Sequence, residues 1–167
     1  MSRRAAVAAG VVAALVLGGC SSGDPAPRKE QAEGLPDVTL SALQEGSEVE
    51  LASLRGPMVV NLWASWCAPC VRELPLYQAY SEKYAGKVDV VGIDFQETRP
   101  AAALKLAADS GVDYPLYADP DGKLRAIGLP KVILLDEQGD VAFEQYVEIT
   151  SVGQIEKLVS QHLGVPS

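Results

Sequence analysis

Histidine occurs once in this 167-residue sequence and cysteine three times. A structural zinc site usually takes four Cys or His ligands, and Cys20, Cys67, Cys70 and His162 are the whole supply, spread over most of the chain. No metal is expected. A cysteine protease needs a histidine base beside its nucleophile, and His162 falls on the last helical pattern, where a surface position is expected. Positive charge is scarce as well. Fourteen Lys and Arg stand against 22 Asp and Glu, a formal charge of -8, so no basic field exists to hold a phosphate backbone. Aromatic residues make up 6% and are scattered, which gives no base-stacking platform. Nucleic acid is therefore excluded as a partner. The chain also lacks a nucleotide-binding glycine loop and a serine nucleophile elbow, so no cofactor is expected. What is plentiful is apolar surface: 48% hydrophobic against 22% charged residues suits one globular domain and argues against intrinsic disorder.

Long apolar runs are missing too. Residues 5–17 form an uninterrupted small and apolar stretch behind Arg3 and Arg4. As a helix it would reach roughly 20 Å, against a hydrocarbon core of about 30 Å. The pattern is that of a signal peptide over residues 1–19. Leu17-Gly18-Gly19-Cys20 also resembles the lipobox of bacterial lipoproteins, which implies lipidation at Cys20 and attachment to the membrane through the lipid. The competing reading is a plain secretory signal with a coincidental cysteine. Arg3-Arg4 hints at twin-arginine export, but Ala5 and Ala6 replace the apolar residues that normally follow, so general secretion is preferred. Removing residues 1–19 leaves 12 basic and 22 acidic residues, a mature charge of -10, which anionic lipids would not attract. Residues 20–34, with Pro25, Pro27, Arg28, Lys29 and Glu30, lack an apolar period and read as a tether. The folded domain is expected over residues 35–164.

Within that domain strand and helix patterns alternate. Residues 58–64 are a nearly continuous apolar run, as a strand buried on both faces requires. Residues 68–84 show helical spacing through Val71, Leu74, Tyr77 and Tyr80, with Pro75 expected to kink the helix. A strand over 88–95, a helix over 100–109 and a short strand at 116–118 follow, then the turn at 119–122. Residues 131–136 and 141–147 predict an antiparallel hairpin, and Ser151 is placed to cap a last helix ending before Gly164. Residues 38–51 suit a small additional hairpin. The sum is an α/β domain, a central mixed sheet with helices on both faces.

The chemistry sits at Trp66-Cys67-Ala68-Pro69-Cys70. Two cysteines separated by two residues, directly after a buried strand and opening a helix, are poised for reversible disulfide exchange. Unpaired N–H groups and the dipole at a helix N-terminus stabilise a thiolate, which makes Cys67 the attacking nucleophile. Cys70, one turn deeper, can reach the same sulfur and resolve a mixed disulfide. Ala68 leaves the nucleophile uncrowded, and Pro69 fits a first helical turn. A purely structural disulfide, half of a zinc site and two reduced core thiols are the competing readings.

The run from Val59 to Cys70, with Pro75 after it, resembles the active-site strand and helix of thioredoxin-like proteins. The nearest likeness is to the extracytoplasmic TlpA/ResA/DsbE group, and it extends through Leu35-Pro36-Asp37, Leu54-Arg55-Gly56 and Gly128-Leu129-Pro130 to the final hairpin. The resemblance implies a thioredoxin-like fold with an N-terminal β-hairpin and a central αβ insertion. It also implies that Pro130 is cis and, with Leu129, Trp66, Ala68 and Pro69, contacts the substrate beside the disulfide. Leu129 departs from the threonine or valine often found there. Asn61 stands where cytoplasmic thioredoxins have an aspartate, and Asn cannot act as a base. By resemblance the proton relay falls to Glu97, whose burial near the thiols is expected to raise its pKa. Peroxiredoxins share the hydrophobic entry strand, but Asn61 and Ala64 stand where their nucleophile's Pro and Thr or Ser would be.

The family likeness implies a membrane-tethered thiol-disulfide oxidoreductase outside the bacterial cytoplasm. Its clients are exported proteins with cysteines, apocytochrome c among them, and a membrane thiol reductant recycles the dithiol. Reduction of client disulfides is the leading expectation. Disulfide donation to secreted proteins is the alternative, with a peroxidase or a non-catalytic lipoprotein binding module behind it.

Overall fold

The computed structural model describes residues 33–166. The expected signal peptide, the lipidation site Cys20 and almost all of the expected tether lie outside the described residues. Within them the chain forms β1 (Thr39–Ala42), β2 (Val49–Glu50), a short 3-10 helix (Leu51–Ser53), β3 (Met58–Trp63) and α1 (Ala68–Lys83). There follow β4 (Asp89–Phe95), α2 (Pro100–Asp109), β5 (Leu116–Asp119), β6 (Lys131–Leu135), β7 (Val141–Gln145) and α3 (Val152–Leu163).

Seven strands make one mixed sheet in the order β2-β1-β5-β4-β3-β6-β7. β3 lies inside it, parallel to β4 and antiparallel to β6, and every one of its six side chains is buried. That explains the nearly continuous apolar run, interrupted only by the buried Asn61, since a strand covered on both faces has no solvent-facing side. The helices begin and end where their chemistry directs. Ser151 Oγ accepts the Gln154 N–H at the start of α3, and Gly164, at φ 69°, turns the chain out of it.

The sheet and the N-terminal hairpin are as expected, and α2 with β5 forms the central αβ unit. The distribution of helices differs from the expectation of both faces. Buried residues of α1, α2 and α3 (Leu74 and Tyr77; Ala103 and Ala107; Ile155 and Val159) share one cluster with Val59 and Trp63. The opposite face, with Val60, Leu62 and Ile93, is covered by Leu40 of β1, by Leu51 of the 3-10 helix and by Leu124 and Ala126. The cause is the topology: β3-α1-β4 and β4-α2-β5 are successive parallel crossovers in the same direction along the sheet, and one handedness puts both helices on one face.

Candidate active site

β3 ends at Trp63 and α1 starts at Ala68, so Cys67 stands at the junction as the N-cap residue of α1. Its sulfur accepts the Cys70 N–H at 3.3 Å, and the Cys67 carbonyl accepts the Val71 N–H at 3.1 Å. Pro69 lies in the first helical turn, where a missing N–H costs no helical bond. Cys67 and Cys70 are joined in a disulfide, with Cα atoms 5.2 Å apart. Cys70 is wholly buried and Cys67 is 5% exposed. No acidic residue occupies the first turn of α1, so nothing there opposes the pull of the helix N-terminus on a thiolate.

The other residues singled out in the sequence are placed as follows. Trp66 is half exposed beside Cys67, whereas Trp63 is wholly buried in the core. Ala68 is exposed and Pro69 partly so. The Leu129–Pro130 peptide is cis. β6 begins at the next residue, and Lys131 pairs with Leu62 near the C-terminal end of β3, so Pro130 lies at the same end of the sheet as the disulfide. Leu129 is partly buried against the cluster that contains both cysteines.

Glu97 is buried, as expected, but its pKa moves in the other direction. Its Oε2 accepts the Ser65 N–H at 2.9 Å and its Oε1 the Arg99 N–H at 2.7 Å. Burial pushes the carboxyl up, and the hydrogen bonds from Ser65, Arg99 and Thr98 outweigh it, holding Glu97 below the ordinary carboxylate value. It therefore stays ionised and ties the loop before Cys67 to the loop after β4.

A different carboxyl has the raised value. Glu73 lies three residues beyond Cys70 on α1, on the face that also buries Leu74, Tyr77 and Tyr80, so it neighbours Cys70 across one helical turn. It is wholly buried. One oxygen accepts the Ile149 N–H, and the other has no hydrogen-bond partner. Burial pushes its pKa up to about 7, and the nearby Glu148 adds to the rise against the pull of the Ile149 bond and of Arg72. Asp94, on β4 opposite Trp63, is likewise raised to about 7, by burial first and then by the Glu97 charge. The sequence carried one signal for Glu73: an acidic residue at i+3 from Cys70 and i−4 from Tyr77, inside the apolar stripe. The stripe itself shifts by one residue, because Val71 is exposed and Cys70 takes its place.

Among the described residues no cluster of three or more His, Cys, Asp or Glu side chains is placed to hold a metal ion, and no helix is long and apolar enough to cross a membrane. A two-cysteine disulfide capping a helix behind the central strand of this sheet defines a thioredoxin-like thiol-disulfide oxidoreductase. The Redoxin family model matches residues 29–159, and the chain belongs to that family. It is 32% identical over 118 residues to the thiol-disulfide oxidoreductase ResA of Bacillus thuringiensis (strain Al Hakam), covering 67% of each protein. Among solved structures it resembles a secreted thiol-disulfide isomerase of Corynebacterium glutamicum, with 28% identity and a TM-score of 0.63 over 78% of this chain and 83% of that one. A DsbF homologue of Corynebacterium diphtheriae is similar at 26% identity and a TM-score of 0.67, over 80% and 88% of the two chains.

Proposed function

We propose that this chain works outside the bacterial cytoplasm as a reductant of disulfides in exported proteins. In this reading residues 1–19 are a signal peptide, Cys20 carries a lipid anchor and residues 20–34 are the tether of a domain over 35–164. A solved relative named as a secreted thiol-disulfide isomerase supports the compartment.

The observation that carries the direction is the buried Glu73 beside Cys70. A thiolate on Cys70 would lie in a desolvated site near a carboxyl that burial pushes up to about 7. Both factors oppose the charged dithiol. A dithiol whose thiolate is poorly stabilised is a better reductant, whereas strong oxidants stabilise their reduced form.

The cycle balances as follows. The Cys67 thiolate attacks one sulfur of a client disulfide, forming a mixed disulfide and releasing a client thiolate. Cys70 gives its proton to the Glu73 carboxylate and attacks the Cys67 sulfur, which closes the Cys67–Cys70 disulfide and frees the second client thiolate. Two electrons pass from protein to client, and a membrane thiol reductant restores the dithiol. Trp66, Ala68, Pro69, Leu129 and cis Pro130 hold the client backbone. Apocytochrome c, whose cysteines must be reduced before haem attachment, is the client class of the cytochrome c maturation type.

Equilibration with defined redox buffers, read by thiol alkylation, tests the direction. A potential near the thioredoxin value of about -270 mV supports a reductant, and one near the strong-oxidant value of about -120 mV makes the protein a disulfide donor. The cap position of Cys67, with no acid in the first turn, is the feature that favours the second outcome.

A further inference from the structure

Asn61 is wholly buried on β3. By strand alternation it shares the face of Val59 and Trp63, the face that packs Cys70, Leu74, Tyr77 and Tyr114. Its register partner on β4 is Gly92. A Cβ there would meet Trp63 Nε1 and the Tyr114 ring at 3.1 Å and the Leu116 side chain closer still, so the glycine is what lets the indole and the phenol close in beside Asn61. The polar atoms gathered on this face find no partner in the protein: Asn61 Nδ2 and Oδ1, Trp63 Nε1, Tyr114 Oη and the free oxygen of Glu73 are all buried without a formed hydrogen bond. They act on one another nonetheless. Burial pushes the Tyr114 hydroxyl up, the Asn61 amide pulls partly against it, and the Glu73 charge is felt at both Tyr114 and Tyr77. Buried polar groups are almost always satisfied by protein or by ordered water, and such a water takes two to four polar partners. Trp63 and Tyr114 offer donors, Glu73 an acceptor and Asn61 one of each kind, which complements the two donors and two acceptors of a water molecule.

We propose that the Asn61 amide, the Tyr114 hydroxyl and the Trp63 indole hold an internal water against the free oxygen of Glu73, making Asn61 and Tyr114 the positioning residues that set how readily Glu73 takes the Cys70 proton. The inference rests on the reading of Glu73 as proton acceptor in the thiol-disulfide cycle and adds two residues to it. A hydrogen bond to the charged form of an acid favours that form, so the network works against burial and keeps the carboxylate available as a base near neutral pH. The other groups that face Glu73 leave this role open. Arg72 on its own helix and Glu148 before α3 pair with each other at the surface, and burial pushes the Tyr77 hydroxyl up. Asp94, also raised to about 7, titrates in the same range, so the test includes a background that lacks Glu73.

Both parts of the test use the full-length chain purified in detergent. In the oxidised protein, water nuclear Overhauser contacts are expected at the Trp63 indole N–H and at the Asn61 side-chain amide, from a long-lived internal water. The second part follows resolution of a mixed disulfide between Cys67 and a cysteine peptide as a function of pH. Tyr114→Phe keeps the ring, and Asn61→Leu keeps the approximate size of the side chain. Each is expected to move the inflection upward from near 7 by about one pH unit, slowing resolution about tenfold on the acid limb and leaving the alkaline plateau in place. In Glu73→Gln neither change is expected to alter the profile further. An inflection that stays near 7 in Tyr114→Phe overturns the network, as does a shift that persists in the Glu73→Gln background or a Trp63 indole without a water contact. A loss of rate on both limbs with no shift marks a merely structural role and overturns it too. Should Asn61→Leu fail to fold, Tyr114→Phe decides alone. A wild-type inflection that survives Glu73→Gln would instead overturn the reading of Glu73 beneath it.

Discussion

Glu73 lies one helical turn beyond Cys70, and both side chains are wholly buried. Burial raises the Glu73 carboxyl to about 7, and in the proposed cycle this is the group that takes the proton Cys70 must lose to attack.

Glu73→Gln keeps an acceptor for the Ile149 N–H and removes the titration. Resolution of the mixed disulfide is expected to slow by about 10²-fold, in the range of general acid-base contributions, and its pH-rate profile to lose the inflection near 7. Stopped-flow decay of a trapped peptide disulfide measures both.

The same substitution changes stability with a definite sign. Glu73 and Asp94 are held neutral in the fold at pH values where the unfolded chain ionises them, so unfolding releases protons. Their favourable effect is full below about 4 and is lost as pH rises toward 7. For Glu73 the rise from 4.5 to about 7 corresponds to roughly 3 kcal/mol. Urea titrations of the oxidised protein at pH 4.5 and 8 are expected to show Glu73→Gln and Asp94→Asn gaining on wild type at the higher pH.

Glu97 has the opposite sign. Its depressed pKa contributes stability that is present above 4.5 and lost as pH falls through the folded value. Glu97→Ala strands the Ser65 and Arg99 N–H groups and is expected to cost about 1–3 kcal/mol. Glu97→Gln restores part of it and leaves the thiol titration unchanged. A shifted thiol titration in Glu97→Gln would return the proton relay to this residue.

Cys70→Ala is expected to accumulate a mixed disulfide on Cys67, visible on non-reducing gels, and Cys67→Ala to abolish insulin reduction. Client capture that survives Cys67→Ala would mark a binding module rather than an enzyme.

Much of the fold was legible because its determinants are local. The run Met58–Trp63 reports burial on two faces, Ser151 and Gly164 mark a helix start and stop, and α2 has the bounds its alanines and Pro100 predict. Which face each helix covers is not local. It follows from crossover direction, which no residue records. At the site, burial of Glu97 was expected only through resemblance, and its pKa depends on backbone N–H groups turned toward it, one of them 32 residues away in sequence. Glu73 was hidden inside a pattern read for its apolar members. Pro130 was assigned cis through resemblance, and nothing in the sequence signalled the second cis bond, Gly56–Pro57.

The clamp from Glu97 to Ser65 and Arg99 links two loops that the chain reaches at different stages. The loop before Cys67 has its partner only after β4 has docked beside β3. A folding chain therefore passes through a period in which both cysteines exist but their setting does not, and the complete setting of the disulfide arrives together with the completed sheet. Redox activity in this protein is thus also a report of its own maturation.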